Sequence, residues 1–299
     1  MNANQLQIGM IGIGAMGAPM STNLLKAGYQ VTAYDHNPER LEAIAEHGAS
    51  LASSCAEVAG MVDIVITVIG TVQDELEAVL GEDGVLAGAR PGLTLIDCST
   101  IGIVATRKIA EAAEQSGVHF LDATMSGSTG PAAEGSLGFM VGANTEDLER
   151  VRPVLLAMGQ KIHHMGPPGA GSAMKVMINL MIGMTVLTVA ETLTLGRKAG
   201  LDPDQMLEVL AETSVRSPHL TTKGRMMIDR QFDPAFMLKY MQKDFDLIME
   251  AAHSVKMPVF TSAIAHQVYT AANAAGFGDL DYSGVVQFLE FAAGLEISD

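Results

Sequence analysis

Ile8-Gly9-Met10-Ile11-Gly12-Ile13-Gly14-Ala15-Met16-Gly17-Ala18-Pro19-Met20 carries an apolar run straight into three glycines spaced G-x-G-x-x-G and then into an amphipathic pattern. The run predicts a strand over Ile8 to Ile13, and the pattern after it a helix over Pro19 to Ala27. In that context the first glycine permits a tight turn, the second lets backbone approach a pyrophosphate, and the third lets helix and strand pack closely. Unpaired N–H groups at the helix start receive the phosphate charge. Asp35 follows Gly14 by 21 residues, at the end of the next predicted strand, Val31 to Tyr34. A carboxylate there accepts hydrogen bonds from ribose hydroxyls and repels a 2′-phosphate. His36-Asn37 supplies no arginine to offset that repulsion, so NAD is favoured over NADP. The cofactor loop is read as Gly12, Ile13, Gly14, Ala15, Met16 and Gly17, with Asp35 and His36 on the ribose side.

Outward from this stretch the first half keeps alternating. A helix is predicted over Pro38 to His47, strands over Val62 to Ile69 and Leu93 to Asp97, a helix over Ile103 to Ser116, and a strand over His119 to Leu121. Leu137 to Val141 and Lys161 to His163 are two shorter strands, with a helix over Thr145 to Met158 between them. Strands separated by helices require crossovers, hence a mainly parallel sheet covered on both faces. Composition changes at Gly166-Pro167-Pro168-Gly169-Ala170-Gly171, a dense cluster of turn residues. Beyond it the patterns are helical: Ser172 to Ala199, Pro203 to Glu212, Leu238 to Ser254, Pro258 to Ala275 and Tyr282 to Ala293. Leu220 to Ile228 is open between helix and loop. The boundary near residue 166 gives an α/β dinucleotide-binding Rossmann domain over 1–165 and an all-helical domain, for substrate and oligomerisation, over 166–299.

Composition limits what such a chain does. With 299 residues, 48% apolar and 17% charged, it must collapse around a core, and an absence of tryptophan beside 20 methionines makes that core aliphatic. Its 18 basic and 34 acidic residues, a net of −16, leave no basic face for nucleic acid and no polybasic stretch for a membrane surface. Residues 1–165 carry 8 basic and 19 acidic groups, residues 166–299 carry 10 and 15. The second half is therefore the richer source of cations for a shared cleft. Met1 to Gln7 lacks the features of a signal peptide, and the uncharged stretch Val176 to Ala190 is, at 15 residues, short of a bilayer core. Cys55 and Cys98 are far apart without metal-site spacing, so they read as reduced thiols in a cytoplasmic protein, and no metal is expected.

The later strand ends carry the remaining candidates. Val68-Ile69-Gly70 and Cys98-Ser99-Thr100 lie where the carboxyl edge of the sheet meets a dinucleotide, with Thr100 near the nicotinamide. Cys98 is read as a small buried filler rather than a nucleophile, since no base is adjacent in sequence. Ser126-Gly127-Ser128-Thr129-Gly130, after Asp122, offers N–H groups and hydroxyls that suit a carboxylate, although a polar surface turn has the same composition. Lys175 and Asn179 are four apart on one helix face amid apolar neighbours. Partial burial suits a lysine to general acid–base work. The same pair equally fits a lysine that snorkels and an asparagine that satisfies a backbone group. Lys243-Asp244 brings a further cation or a salt bridge, and Arg216 is another candidate anion grip.

Taken together, these residues resemble the β-hydroxyacid dehydrogenase family, which includes 3-hydroxyisobutyrate and tartronate semialdehyde enzymes and, more distantly, 6-phosphogluconate dehydrogenase. The likeness covers nearly the whole chain. It rests on Gly12 to Gly17 with Met16, on Asp122-Ala123-Thr124-Met125-Ser126-Gly127-Ser128 in place of Asp-Ala-Pro-Val-Ser-Gly-Gly, on Gly169-x-Gly171-x-x-x-Lys175-x-x-x-Asn179, and on Lys243-Asp244 after Phe236.

The resemblance implies that Lys175 is the general acid–base residue and that Asn179 positions the reacting oxygen. Ser126, Gly127 and Ser128 would hold the substrate carboxylate. Thr100 and Lys243 would line both substrate and cofactor, with Phe236 on the cofactor side. It implies reversible NAD-dependent oxidation of a 3-hydroxy acid, foremost 3-hydroxyisobutyrate to methylmalonate semialdehyde, by a homodimer or homotetramer. Alternatives are a tartronate or succinic semialdehyde reductase, a dehydrogenase of threonate or serine, and a catalytically silent nucleotide-binding scaffold. The scaffold predicts a broken Lys–Asn pair, whereas both residues are intact. Retention of Lys175 also argues against the imine-reducing relatives. Thr124-Met125, Ser128 and Ile69-Gly70 depart from the family pattern, and Ser128 should act on substrate choice or affinity rather than reaction type.

Overall fold

The computed structural model describes residues 6–295. They fall into two compact units that part between Lys175 and Val176.

The first unit is built on one eight-stranded sheet. In chain order its elements are β1 (Gln7–Ile11), α1 (Gly17–Lys26), β2 (Gln30–Tyr34), α2 (Pro38–Ala45), β3 (Ser50–Leu51), α3 (Cys55–Met61), β4 (Ile64–Thr67), α4 (Val72–Leu80), α5 (Val85–Gly88), β5 (Thr94–Asp97), α6 (Gly102–Gln115), β6 (His119–Ser126), α7 (Thr129–Glu134), β7 (Leu137–Gly142), α8 (Thr145–Met158) and β8 (Gly159–Gly166). Strand order is β3-β2-β1-β4-β5-β6-β7-β8, parallel throughout except for the antiparallel β6–β7 pair. The order reverses direction between β1 and β4, the switch point at which open α/β sheets receive ligands.

The central strands β4 and β5 are buried at every position because both faces are covered, and period two sorts their largely apolar side chains. Ile8, Met10, Ile66 and Ile96 join Met20, Leu24 and the α8 residues Leu148, Val151 and Leu155 in one core. Ile11, Val65 and Leu95 join Val58, Ile109 and Val118 in the other. Asn37, Ser54 and Thr71 cap α2, α3 and α4 with their side-chain oxygens.

Each predicted strand shifts at one or both ends, most of them by a residue or two, and β8 spans Gly159–Gly166 where Lys161 to His163 was expected; three shifts bear on the site. β1 stops at Ile11 because Gly12 turns the chain at φ +92. β4 stops at Thr67, so Val68-Ile69 is loop. β6 runs on to Ser126, which puts the proposed carboxylate loop at its very end. The short elements β3, α3, α4, α5 and α7 lie in segments where no element was predicted.

The second unit is helical. α9 (Ala170–Lys198) crosses the division and is followed by α10 (Pro203–Glu212), α11 (Pro218–Ile228), α12 (Leu238–Ser254), α13 (Phe260–Ala272) and α14 (Val285–Ala292). The ambiguous stretch near Leu220 is thus helix, begun by Pro218 at its first turn and capped by Ser217. Buried ions fasten these helices to one another. Glu290 of α14 takes Arg197 of α9 and Arg230 after α11, and Lys223 of α11 takes both oxygens of buried Asp281 at 2.9 Å. Leu247, Ile248, Ala251 and Phe245 of α12 supply the apolar packing, with Phe245 stacked on Tyr269 at 5.2 Å between centroids.

By length and composition α9 is apolar enough to cross a membrane, a test the 15-residue reading of Val176 to Ala190 did not meet. A core helix passes the same test. Val176, Val186, Leu187, Val189, Ala190 and Leu193 are buried within the protein, and Asn179 is hydrogen-bonded there.

Candidate active site

The glycine loop has the geometry its composition predicts. Gly12 N–H donates to Tyr34 O at 2.9 Å, closing β1 against β2. A Cβ at Gly12 would collide with the Val68 carbonyl, and one at Gly17 with the Gly12 carbonyl. At Gly14 the space is open, the nearest atom to a built Cβ being Arg40 Nη1 at 4.0 Å. Among the described residues no side chain caps α1, and its first turn carries no acid. The cradle and the uncapped helix start fit a pyrophosphate. NAD is thus accommodated by residues already present.

Asp35 is more constrained than its sequence position suggests. Its carboxylate accepts from Ile13 N–H at 2.7 Å and from Asn37 N–H at 2.8 Å, so it braces the glycine loop from beneath as well as facing the ribose side. Arg40 of α2 stands 3.5 Å from the same carboxylate, and exposed His36 stands 3.6 Å away. His36-Asn37 supplies no arginine, as read, but Arg40 brings one beside Asp35. The first turn of α2 returns a guanidinium to the strand end, which the dipeptide His36-Asn37 could not reveal.

The ends of β4 and β5 are joined by a hydroxyl. Ser99 Oγ accepts from Ile69 N–H at 2.9 Å and donates to Glu75 Oε2 at 2.7 Å, while Ser99 N–H donates to Asp97 Oδ1 at 2.7 Å. Val68, Ile69 and Gly70 are thereby held beside Thr100, which is half-buried. Burial pushes the Cys98 thiol well above its ordinary pKa, with Asp97 and Glu75 adding to the rise. A thiol so disfavoured as thiolate is a filler, as read.

Asp122 organises the start of α9. It is fully buried and accepts from Gly169 N–H and Ser172 N–H, each at 2.6 Å. Desolvation raises its pKa, while backbone N–H bonds from Gly169, Ser172, Asp122 itself and Gly171 pull the other way. Thr124, two residues on along β6 and facing the same side, donates to Gly171 O at 3.0 Å. Thr106 of α6 and Ser172 share a 2.8 Å hydroxyl–hydroxyl bond. A Cβ at Gly171 would lie 2.8 Å from Asp122 Oδ2, so only glycine lets the helix come this close. These contacts hold the first turns of α9, up to and including Lys175, in the first unit.

Of the three departures in the substrate loop, Thr124 and Met125 point into the core and Ser128 alone is exposed. Ser126 and Gly127 are exposed beside it, with Gly127 at φ +126. Lys175 is half-buried on α9.

In the second unit Asn179 is buried and donates Nδ2–H to Asp244 Oδ2 at 2.6 Å, rather than to a backbone group. Lys243 Nζ lies 3.2 Å from Asp244 Oδ1. Asp244 thus ties two predicted site residues together, a role its place in the Lys-Asp motif did not disclose. Phe236 packs at 5.9 Å against both Tyr240 and Tyr282. Arg216 stands exposed between α10 and α11. Among the described residues no three His, Cys, Asp or Glu side chains gather as metal ligands.

Comparison with known proteins agrees with both halves. Residues 7–166 match the NAD binding domain of 6-phosphogluconate dehydrogenase, and residues 169–289 match the NAD-binding domain of NADP-dependent 3-hydroxyisobutyrate dehydrogenase. The chain belongs to the β-hydroxyacid dehydrogenase family. It is 34% identical over 294 residues to 2-(hydroxymethyl)glutarate dehydrogenase of Eubacterium barkeri, covering 98% of each protein. It is 37% identical over 290 residues to the NAD-dependent L-serine dehydrogenase of Pseudomonas aeruginosa, covering 95% of this chain and 97% of that protein. The solved structure of Mycobacterium tuberculosis 3-hydroxyisobutyrate dehydrogenase with L-serine superposes with a TM-score of 0.88 at 34% identity, over 95% of this chain and 99% of the other. The protein is an oxidoreductase, a hydroxyacid dehydrogenase that uses NAD.

Proposed function

We propose that this dehydrogenase oxidises a small 3-hydroxy acid reversibly, with 3-hydroxyisobutyrate, giving methylmalonate semialdehyde, as its foremost substrate. The observation that carries the reading is the double duty of β6. The strand ends in Ser126 at the exposed carboxylate loop, and its Asp122 anchors the helix that bears Lys175. A single rigid element thus governs both a carboxylate grip and a proton acceptor. In a 3-hydroxy acid the hydroxyl lies one carbon further from the carboxylate than in a 2-hydroxy acid, which suits two separate groups.

Bound NAD supplies the hydride acceptor. Ser126, Gly127 and Ser128 hold the carboxylate through hydroxyls and N–H groups. Lys175, as the neutral amine, takes the hydroxyl proton at Nζ during oxidation and returns it during reduction. Asn179 holds the same oxygen. A carboxylate only accepts, so the Asn179 atom facing Asp244 is its NH2, and Asp244 thereby fixes which way the amide points. Thr100 and Lys243 complete the polar lining, and Phe236 belongs to the cofactor side. Alignment of donor carbon and proton acceptor is the protein's contribution to rate.

The likeness to an L-serine dehydrogenase favours L-serine as the second reading, since it differs from 3-hydroxyisobutyrate only in the group at the middle carbon. Initial rates of NAD reduction with 3-hydroxyisobutyrate, L-serine, threonate and 3-hydroxypropionate, each repeated with NADP, separate the cases. The highest kcat/KM on 3-hydroxyisobutyrate supports the proposal, and a higher value on L-serine transfers it to the amino acid. Turnover of semialdehydes alone would move the assignment to a reductase.

A homodimer or homotetramer is part of this proposal. Phe260 at 80%, Ile264 at 66% and Phe291 at 71% exposure are large apolar side chains on α13 and α14 that a second copy would cover. Light scattering after gel filtration measures the state directly. Cys55 and Cys98, both unbridged and buried, support a reducing compartment such as the cytoplasm.

A further inference from the structure

Two carboxylic acids unused by the proposed chemistry lie beneath the cofactor loops. Glu75, in the first turn of α4, and Asp97, at the end of β5, are both fully buried. Asp97 Oδ2 has no hydrogen-bond partner among the described residues, and Thr67 and Ser99 are the hydroxyls that hydrogen-bond Glu75. The groups that face the pair are Thr67 from β4, Cys98 and Ser99 after β5, Asp122 from β6 and Cys55 from α3, and none of them is a cation. Burial of two carboxyl groups with no cation facing them favours their protonated forms, and ionisation of one opposes ionisation of the other. Desolvation pushes Glu75 up to about 7, and Asp97 rises well above its ordinary value for the same reason and because of Glu75.

Ser99 connects the pair to the cofactor loops. Glu75 Oε2 takes the Ser99 hydroxyl proton, which turns the Ser99 lone pair toward Ile69 N–H, and Asp97 Oδ1 takes Ser99 N–H. Both segments assigned to the cofactor, Val68–Gly70 and Thr100, therefore hang on one hydroxyl whose direction Glu75 sets.

We propose that buried Glu75 and Asp97 position, through Ser99, the two loops that receive the cofactor, so that NADH affinity falls as the pair gives up a proton toward alkaline pH. Glu75 is a positioning residue, not a catalytic one. The inference rests on those two loops touching the cofactor. Added negative charge on the pair makes Glu75 and Asp97 repel across Ser99, which takes bonds from both, and shifts the loops that Ser99 braces.

The test is NADH binding by the intact protein, followed by nicotinamide fluorescence from about pH 6 to about pH 9, for wild type, Glu75→Gln and Glu75→Ala. The wild-type Kd should rise across this range. Glu75→Gln keeps an acceptor for Ser99 and offers its NH2 to Asp97 or Thr67, but cannot ionise. Its Kd should match wild type at the acid end and stay flat. Glu75→Ala removes the acceptor and should weaken binding by about three- to tenfold at every pH, the worth of one hydrogen bond. Equal pH profiles for wild type and Glu75→Gln would overturn the proposal, as would unchanged affinity in a folded Glu75→Ala protein. A merely structural Glu75 would alter stability and leave the profile alone. Wild type failing to bind NADH at all would instead refute the cofactor assignment itself.

Discussion

Removing the Asp122 carboxylate should both loosen the protein and misplace Lys175. Asp122→Ala leaves Gly169 N–H and Ser172 N–H without the acceptor each now reaches at 2.6 Å. An unsatisfied buried donor costs about 1–3 kcal/mol, so two cost roughly 2–6 kcal/mol. Relief of the desolvated carboxylate, whose pKa is raised, offsets part of this. The net loss should be about 2–4 kcal/mol, a large share of a typical domain's stability. Asp122→Asn keeps one acceptor oxygen and should lose about 1 kcal/mol.

The pH dependence follows from the direction of the shift. A carboxyl with a raised folded-state pKa contributes stability below its ordinary unfolded value and loses that contribution as pH climbs through the folded value. Wild type should therefore lose a component of stability on going from acid toward neutral pH that both variants lack. Urea unfolding monitored by circular dichroism, at several pH values, reads the free energy and the m-value. A 1 Å error in placing a reacting group costs on the order of a hundredfold in rate, so kcat should drop by about ten- to a hundredfold while NADH affinity stays within about twofold. Asp122→Ala with wild-type unfolding and wild-type kcat would refute the clamp.

Other substitutions test neighbouring parts of the account. Gly17→Ala places a methyl against the Gly12 carbonyl and should abolish NADH binding, read by fluorescence titration, in a protein that retains its helical second unit by circular dichroism. Lys223→Met strands buried Asp281 and should cost about 3–5 kcal/mol in urea unfolding, with kcat unaffected in the folded fraction. Arg40→Ala removes the cation beside Asp35 and should lower kcat/KM for NADP more than for NAD, measured in parallel initial-rate assays.

Much of this arrangement was legible because it depends on patterns that repeat along the chain. The glycine spacing, the apolar central strands and the helical half are written in periodicity, and the structure follows them. What escaped prediction depends on contacts distant in sequence. Arg40 reaches Asp35 only because α2 folds back on the strand end. Asp244 draws Asn179 and Lys243 together across 65 residues of chain in the Asn179 case. Glu75 did leave a trace, since Val72, Leu76 and Val79 share its helix and an acid among them falls on the covered face.

Direction is equally hidden, because an alternation of strands and helices does not say that β7 runs against β6. The turn cluster from Gly166 to Gly171 marks a compositional change, whereas the division by contacts comes at Lys175, inside α9. Hydrogen bonds from Asp122, Thr124 and Thr106 account for the difference, and none of them is visible in composition.

The central claim, that Lys175 moves the proton in oxidation of a 3-hydroxy acid with NAD, is tested most directly by Lys175→Met. Its kcat for NAD reduction and its NADH Kd should be measured together with wild type on the best substrate of the panel. The account predicts kcat lower by about a hundred- to ten-thousandfold, with NADH affinity within about twofold. A folded Lys175→Met enzyme that turns over within about threefold of wild type would contradict it.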